Sequence, residues 1–172
     1  VIEAGGIQWM TAGRGIIHSE MPEQEDGLLS GFQLWINLPA RHKMTPAAYQ
    51  EYPADQLPIE NRGDGTTVKV ICGYTSQGTK APVQQPLTDA RFMDVTLPAG
   101  GVFRETLGTD DTVIVYGVEG LIDVGAEGKP LASGQLGVLE HGNEVSVTSS
   151  APARFLLIAG KPLNEPIARG GP

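Results

Sequence analysis

Between Gly63 and Gly160, short apolar runs and turn signals alternate so regularly that an all-β domain is the arrangement that accommodates them. Strand-like runs fall at residues 68–73, 91–97, 102–107, 112–118, 121–124, 135–139, 144–148 and 154–158. Between them stand Pro98-Ala99-Gly100-Gly101, Gly108-Thr109-Asp110-Asp111, Glu119-Gly120, Glu127-Gly128-Lys129-Pro130, Ser133-Gly134 and Glu140-His141-Gly142-Asn143. Runs of this length and spacing, with helical periodicity nearly absent, predict a sandwich or barrel. The 23 glycines and 13 prolines are spread through these turns and are not collected in a low-complexity tract.

The first part of the chain reads differently. Residues 1–9 predict a strand, a Gly5-Gly6 turn and a second strand. Thr11-Ala12-Gly13-Arg14-Gly15 predicts a tight turn, because glycine tolerates positive φ. A short strand is expected over 16–20, an acidic loop over 23–27, and a β-like alternating run over 32–38. Thr45-Pro46 resembles an N-cap followed by proline at the first helical position, which predicts one or two helical turns from residue 45. Residues 53–58 read as linker, which divides the chain into units 1–58 and 63–160 with a Pro/Gly tail at 161–172. Gly5-Gly6-Ile7-Gln8 and Ser133-Gly134-Gln135-Leu136 both look like a turn feeding a strand, a faint sign of duplication.

The net charge of −8 and the lack of a Lys/Arg cluster argue against direct nucleic-acid or anionic-membrane binding. A small molecule or a protein partner fits better. No stretch approaches the ~18 apolar residues of a membrane-spanning helix. Cys72 is the one cysteine, so no intrachain disulfide forms. That suits a reducing compartment; the expected location is the cytoplasm, extending to the nucleus if the source is eukaryotic.

The residues best suited to chemistry are His18 and Glu20. In a strand, positions i and i+2 share a face about 6–7 Å apart, and an imidazole beside a carboxylate suits iron, manganese, nickel, copper or zinc. Two ligands fall short of the three or four of a mononuclear site, and a solvated His beside a surface Glu is the plainer reading. Along 32–38, Gln33, Trp35 and Asn37 share one face and Phe32, Leu34, Ile36 and Leu38 the other. The polar face fits a ligand cavity, solvent or a domain contact. Trp9 and Met10 are expected in the core or a pocket wall. His42 sits in a different segment, and His141 lies in a Gly-Asn turn.

The run Gly6-Ile7-Gln8-Trp9-Met10-Thr11-Ala12-Gly13-Arg14-Gly15-Ile16-Ile17-His18-Ser19-Glu20-Met21-Pro22 closely resembles the pirin signature. Gln33-Leu34-Trp35-Ile36-Asn37-Leu38-Pro39, then His42-Lys43-Met44 and Tyr49-Gln50, resemble the next pirin block. Gly160-Lys161-Pro162-Leu163-Asn164-Glu165-Pro166 and Gly170-Gly171-Pro172 resemble the C-terminal block. The resemblance implies two cupin double-stranded β-helix barrels in tandem, with the N-terminal one incomplete here. It implies a site of three His and one Glu, onto which His18 and Glu20 map as metal ligands. The family's early His-x-His has no counterpart, and the family pattern continues past Gly170-Gly171-Pro172. A chain truncated at both ends is therefore expected. The implied metal is Fe2+, other divalent transition metals being acceptable to the same donors.

Three functional readings follow from the resemblance. The first is a dioxygenase of the quercetin dioxygenase type, acting on a flavonol-like aromatic, with Glu20 as catalytic base and Gln33, Trp9 and Met10 around the substrate pocket. The second is an iron-dependent co-regulator that binds a protein partner. The third is a cupin without a complete metal site. In the second unit, cupins place a His-x-His after the Pro-x-Gly turn, whereas Pro98-Ala99-Gly100-Gly101 here leads into Phe103-Arg104-Glu105. That barrel is expected to be metal-free and structural.

Overall fold

The computed structural model describes residues 2–168 except Glu20, Pro22, Gln24, Glu25, Gln84 and His141. Its regular structure is almost entirely strand: β1 (Ile7–Thr11), β2 (Ala48–Tyr52), β3 (Ile59–Asn61), β4 (Thr67–Cys72), β5 (Arg91–Leu97), β6 (Val102–Thr106), β7 (Thr112–Glu119), β8 (Leu121–Val124), β9 (Lys129–Ala132), β10 (Leu136–Leu139), β11 (Glu144–Thr148) and β12 (Ala153–Gly160). The helical content is two single 3-10 turns, Ala40–His42 and Ala54–Gln56. Among the described residues no helix is long and apolar enough to cross a membrane.

Three sheets result: β1-β2, the six-stranded β10-β7-β12-β5-β4-β3, and the four-stranded β6-β11-β8-β9. All named strand pairs are antiparallel. The two larger sheets enclose one core. Val68, Val70, Met93, Val95, Leu97, Val115, Phe155 and Leu157 enter it from the six-stranded sheet, and Phe103, Ile122, Val124, Val145 and Val147 from the four-stranded sheet. Phe103 and Phe155 meet edge to face across it, with ring centroids 5.5 Å apart. Burial alternates along the strands of the four-stranded sheet that face this core, as in eBeBe for β6 and eBiBi for β11, because successive side chains point to opposite faces.

A second apolar layer lies on the outer face of the six-stranded sheet. Ile71, Cys72, Phe92 and Leu156 are buried there under Ile7, Trp9, Leu34, Ile36 and Tyr52. The β1-β2 pair and the 32–38 segment therefore dock on the back of the larger domain. The Tyr52 hydroxyl donates to Pro82 O (3.1 Å), and Gln85 Nε2 donates to Thr11 Oγ1 (3.2 Å). The tail returns to the same region, where the Glu165 carboxylate accepts the Ala40 N–H at 2.9–3.0 Å.

Four local expectations are corrected. The helical turn expected from Thr45 is absent: Ala48–Tyr52 is β2, paired over five residues with β1. Cross-strand pairing and half-burial outweigh a local capping pattern. Residues 34–38 keep their alternation, with Leu34 and Ile36 half-buried between exposed neighbours and Leu38 half-buried beside the buried Pro39, but Phe32 is exposed and the run forms no strand. β9 falls where Lys129-Pro130 read as a turn; it is an edge strand paired only with β8, the position in a sheet that tolerates proline. Finally, the expected complete barrel over 63–160 is two facing sheets, and it recruits β3 from before residue 63. Gly5 and Gly134, which stand in the two similar turn motifs, have φ of 78° and 79°, each two residues ahead of a strand.

Candidate metal centre

The segment leading to His18 begins with a turn that only glycine can make. Gly13 has φ 54°, and a Cβ there would lie 2.1 Å from Thr45 O. The Arg14 N–H donates to that same carbonyl (3.0 Å) and the Gly15 N–H to Ala12 O (2.9 Å). The turn is thus pinned beside the start of β2. Beyond it the expected strand over 16–20 is not formed among the described residues: 16–19 have no ladder. A strand is defined by its partner, and β1 uses its partner upstream of the turn. Ile17 and His18 are exposed, Ile17 fully at 102%. Glu20, the other half of the predicted pair, lies outside the described residues, as does His141.

Gln33 is exposed on the 32–38 segment, while Trp9 is half-buried against the back of the six-stranded sheet. Met10 is half-buried on the same strand and pairs with Tyr49. An open cleft of about 470 Å³ nearby is lined by Ile2, Glu3, Gly6, Glu51, Tyr52 and Pro53, so none of these three predicted pocket residues borders it. Among the described residues no group of three or more His, Cys, Asp or Glu is arranged to hold a metal ion. His18 stands exposed on a segment without a ladder, and the described residues by themselves supply fewer than the three or four protein ligands of a mononuclear site.

The second domain holds a charged cluster that the sequence reading passed over. Glu105 is 1% exposed and shares the inward face of β6 with Phe103. Its carboxylate lies 2.8 Å from Arg62 Nη2 and 3.9 Å from Arg91 Nη1, and it accepts the Ser76 N–H. Glu60, also buried, contacts Arg62 Nε and accepts the Thr75 hydroxyl. Burial pushes the Glu60 carboxyl up, but hydrogen bonds from Thr75 and Thr79 and the Arg62 charge outweigh it and hold it below the usual range. The sequence signal was present: in the alternation of β6, Glu105 has the parity of Phe103. This end of the domain is closed by paired charges, and its middle is filled by apolar side chains.

Comparison with known proteins completes the site's context. The pirin signature matches residues 1–36, and that of the pirin C-terminal cupin domain matches residues 92–172. A pirin-like protein of Caulobacter vibrioides is 48% identical over 172 residues, covering all of this chain and 62% of the relative. Human pirin is 37% identical over 98% of this chain and 58% of its own length. A crystal structure of quercetin 2,3-dioxygenase from Acinetobacter baumannii superposes with a TM-score of 0.86 at 31% identity, covering 99% of this chain and 60% of that one. The chain thus spans roughly three-fifths of the length of the relatives it matches. With signatures matching at both ends and similarity running throughout, the chain belongs to the pirin family.

Proposed function

We propose that this chain is part of an oxygenase of the quercetin dioxygenase type, acting on a flavonol-like aromatic with a divalent metal, Fe2+ being the expected ion. In this reading His18 and Glu20 are two of the ligands and the remaining imidazoles come from residues other than those described. The observation that carries the proposal is the agreement of nearly the whole chain with the fold of a quercetin 2,3-dioxygenase. In the second domain the core between the two sheets is filled by apolar side chains and the buried Glu105 is paired with Arg62, so this reading assigns the chemistry to the N-terminal part.

The test joins this chain to the segment of the Caulobacter relative that precedes its match and loads the fusion anaerobically with Fe2+. With quercetin as probe, oxygen uptake should accompany flavonol loss in equal amounts, and both should disappear in the His18→Ala fusion. An iron-loaded fusion that binds quercetin without consuming oxygen would overturn the oxygenase reading and favour a binding role.

A further inference from the structure

The four-stranded sheet ends at β6, whose outer edge has no partner strand among the described residues: β11 occupies only its inner side. In an antiparallel strand alternate residues direct both backbone groups to the same side, so Val102, Arg104 and Thr106 present theirs to that open edge. Each of the three is occupied by a charged side chain from the opposite sheet or its turns. Asp64 Oδ2 accepts the Val102 N–H at 2.8 Å. Arg62 Nη1 donates to Arg104 O at 2.8 Å. Arg91 Nη1 donates to Thr106 O at 3.0 Å. The guanidiniums are themselves held: Arg62 lies between the buried carboxylates of Glu60 and Glu105, and Arg91 stacks 4.1 Å from the Tyr74 ring centroid.

We propose that Arg62, Asp64 and Arg91 guard the edge of β6 against strand addition by β6 of a second copy of the chain. A second β6 is the occupant tested, because this strand can pair with its own copy in register. An antiparallel pairing of β6 with itself about Arg104 sets Arg104 opposite Arg104 and Val102 opposite Thr106. Its ladder bonds would use the outward groups of those three residues, and the guard occupies one group on each. An unguarded edge of this kind is a template for another chain. The exposed side chains leave room for the pairing, Val102 being 42% exposed and Arg104 projecting to solvent; the opposed Arg104 charges add a repulsion of their own, which replacing Arg104 removes.

The test uses Arg104→Cys as a reporter, since directly opposed positions lie about 5.5 Å apart at Cα, within disulfide range. With the guard intact, mild oxidation should leave the chain largely uncrosslinked at this position. Adding Asp64→Ala, at an exposed turn residue that leaves the core untouched, should raise the disulfide-linked dimer mapped to position 104 about tenfold, the factor corresponding to about 1.4 kcal/mol. Arg62→Ala should raise it at least as much if that variant folds. Val102→Pro, which removes the freed N–H at the first position of the strand, should return the Asp64→Ala chain to the low level. Circular dichroism and the inaccessibility of Cys72 would certify that each variant is folded. No rise in a folded Asp64→Ala chain would overturn the proposal, and so would equal crosslinking with the guard intact.

Discussion

Replacing Glu105 with alanine should destabilise the second domain far more than replacing its neighbour Arg104, although both are charged residues on the same strand. Glu105 is 1% exposed, and removing it leaves the largely buried Arg62 and Arg91 guanidiniums short of a carboxylate and takes the acceptor from the Ser76 N–H. Breaking a buried pair from one side costs about 3–5 kcal/mol. Arg62 retains Glu60, which places the expected loss near the lower end, about 3 kcal/mol. Arg104 pairs with Glu144 where the two side chains are 62% and 50% exposed, and a pair of that kind contributes roughly 0.2–1 kcal/mol. In urea unfolding followed by circular dichroism, with a slope of about 2 kcal/mol/M, Glu105→Ala should lower the midpoint by about 1.5 M. Arg104→Ala should move it by less than about 0.5 M. Equal shifts for the two variants would refute the reasoning, because they would mean that the Glu105 cluster is as solvated as the surface pair.

Three further outcomes follow from the same structure. Phe155→Ala empties a fully buried position and removes the ring pair with Phe103, so unfolding should show a loss of about 3–5 kcal/mol. Burial pushes the Cys72 thiol up to about 11, so a thiol reagent at pH 8 should fail to label the folded chain and should label it once urea unfolds it. The Val102 and Thr66 N–H groups hold the Asp64 carboxyl down to about 2, from an ordinary value of 3.8. The stability it contributes is therefore present above about pH 4 and lost as the pH falls toward 2; Asp64→Asn should flatten that part of the acid-unfolding curve.

Much of the second domain was legible because alternation and turn chemistry agree there. The expected runs at 91–97, 121–124 and 144–148 coincide with β5, β8 and β11. The strands that escaped are those whose existence depends on a distant partner. β2 carries a helix-start pattern and becomes a strand because β1 lies alongside; β9 contains Pro130 and is tolerated because it is an edge. The 32–38 run has the opposite history: its alternation is real and buries Leu34 and Ile36, but half-burial against a sheet face supplies packing without a ladder. At the candidate centre, His18 could be named from its motif, whereas its surroundings could not, because convergence of ligands is a property of tertiary structure. The Glu60–Arg62–Glu105 cluster was missed for the same reason: parity places Glu105 inside, but its arginine partner comes from a turn about forty residues upstream along the chain.

The most direct test of the metal assignment is iron per chain, measured by elemental analysis beside intact mass, for three samples: the 172-residue chain, its fusion to the upstream segment of the Caulobacter relative, and the His18→Ala fusion. The account predicts little iron in the first, because the described residues gather no three-ligand group, about one ion per chain in the second, and loss of that ion in the third. One tightly held iron in the 172-residue chain alone, or a His18→Ala fusion that keeps its iron, would contradict it.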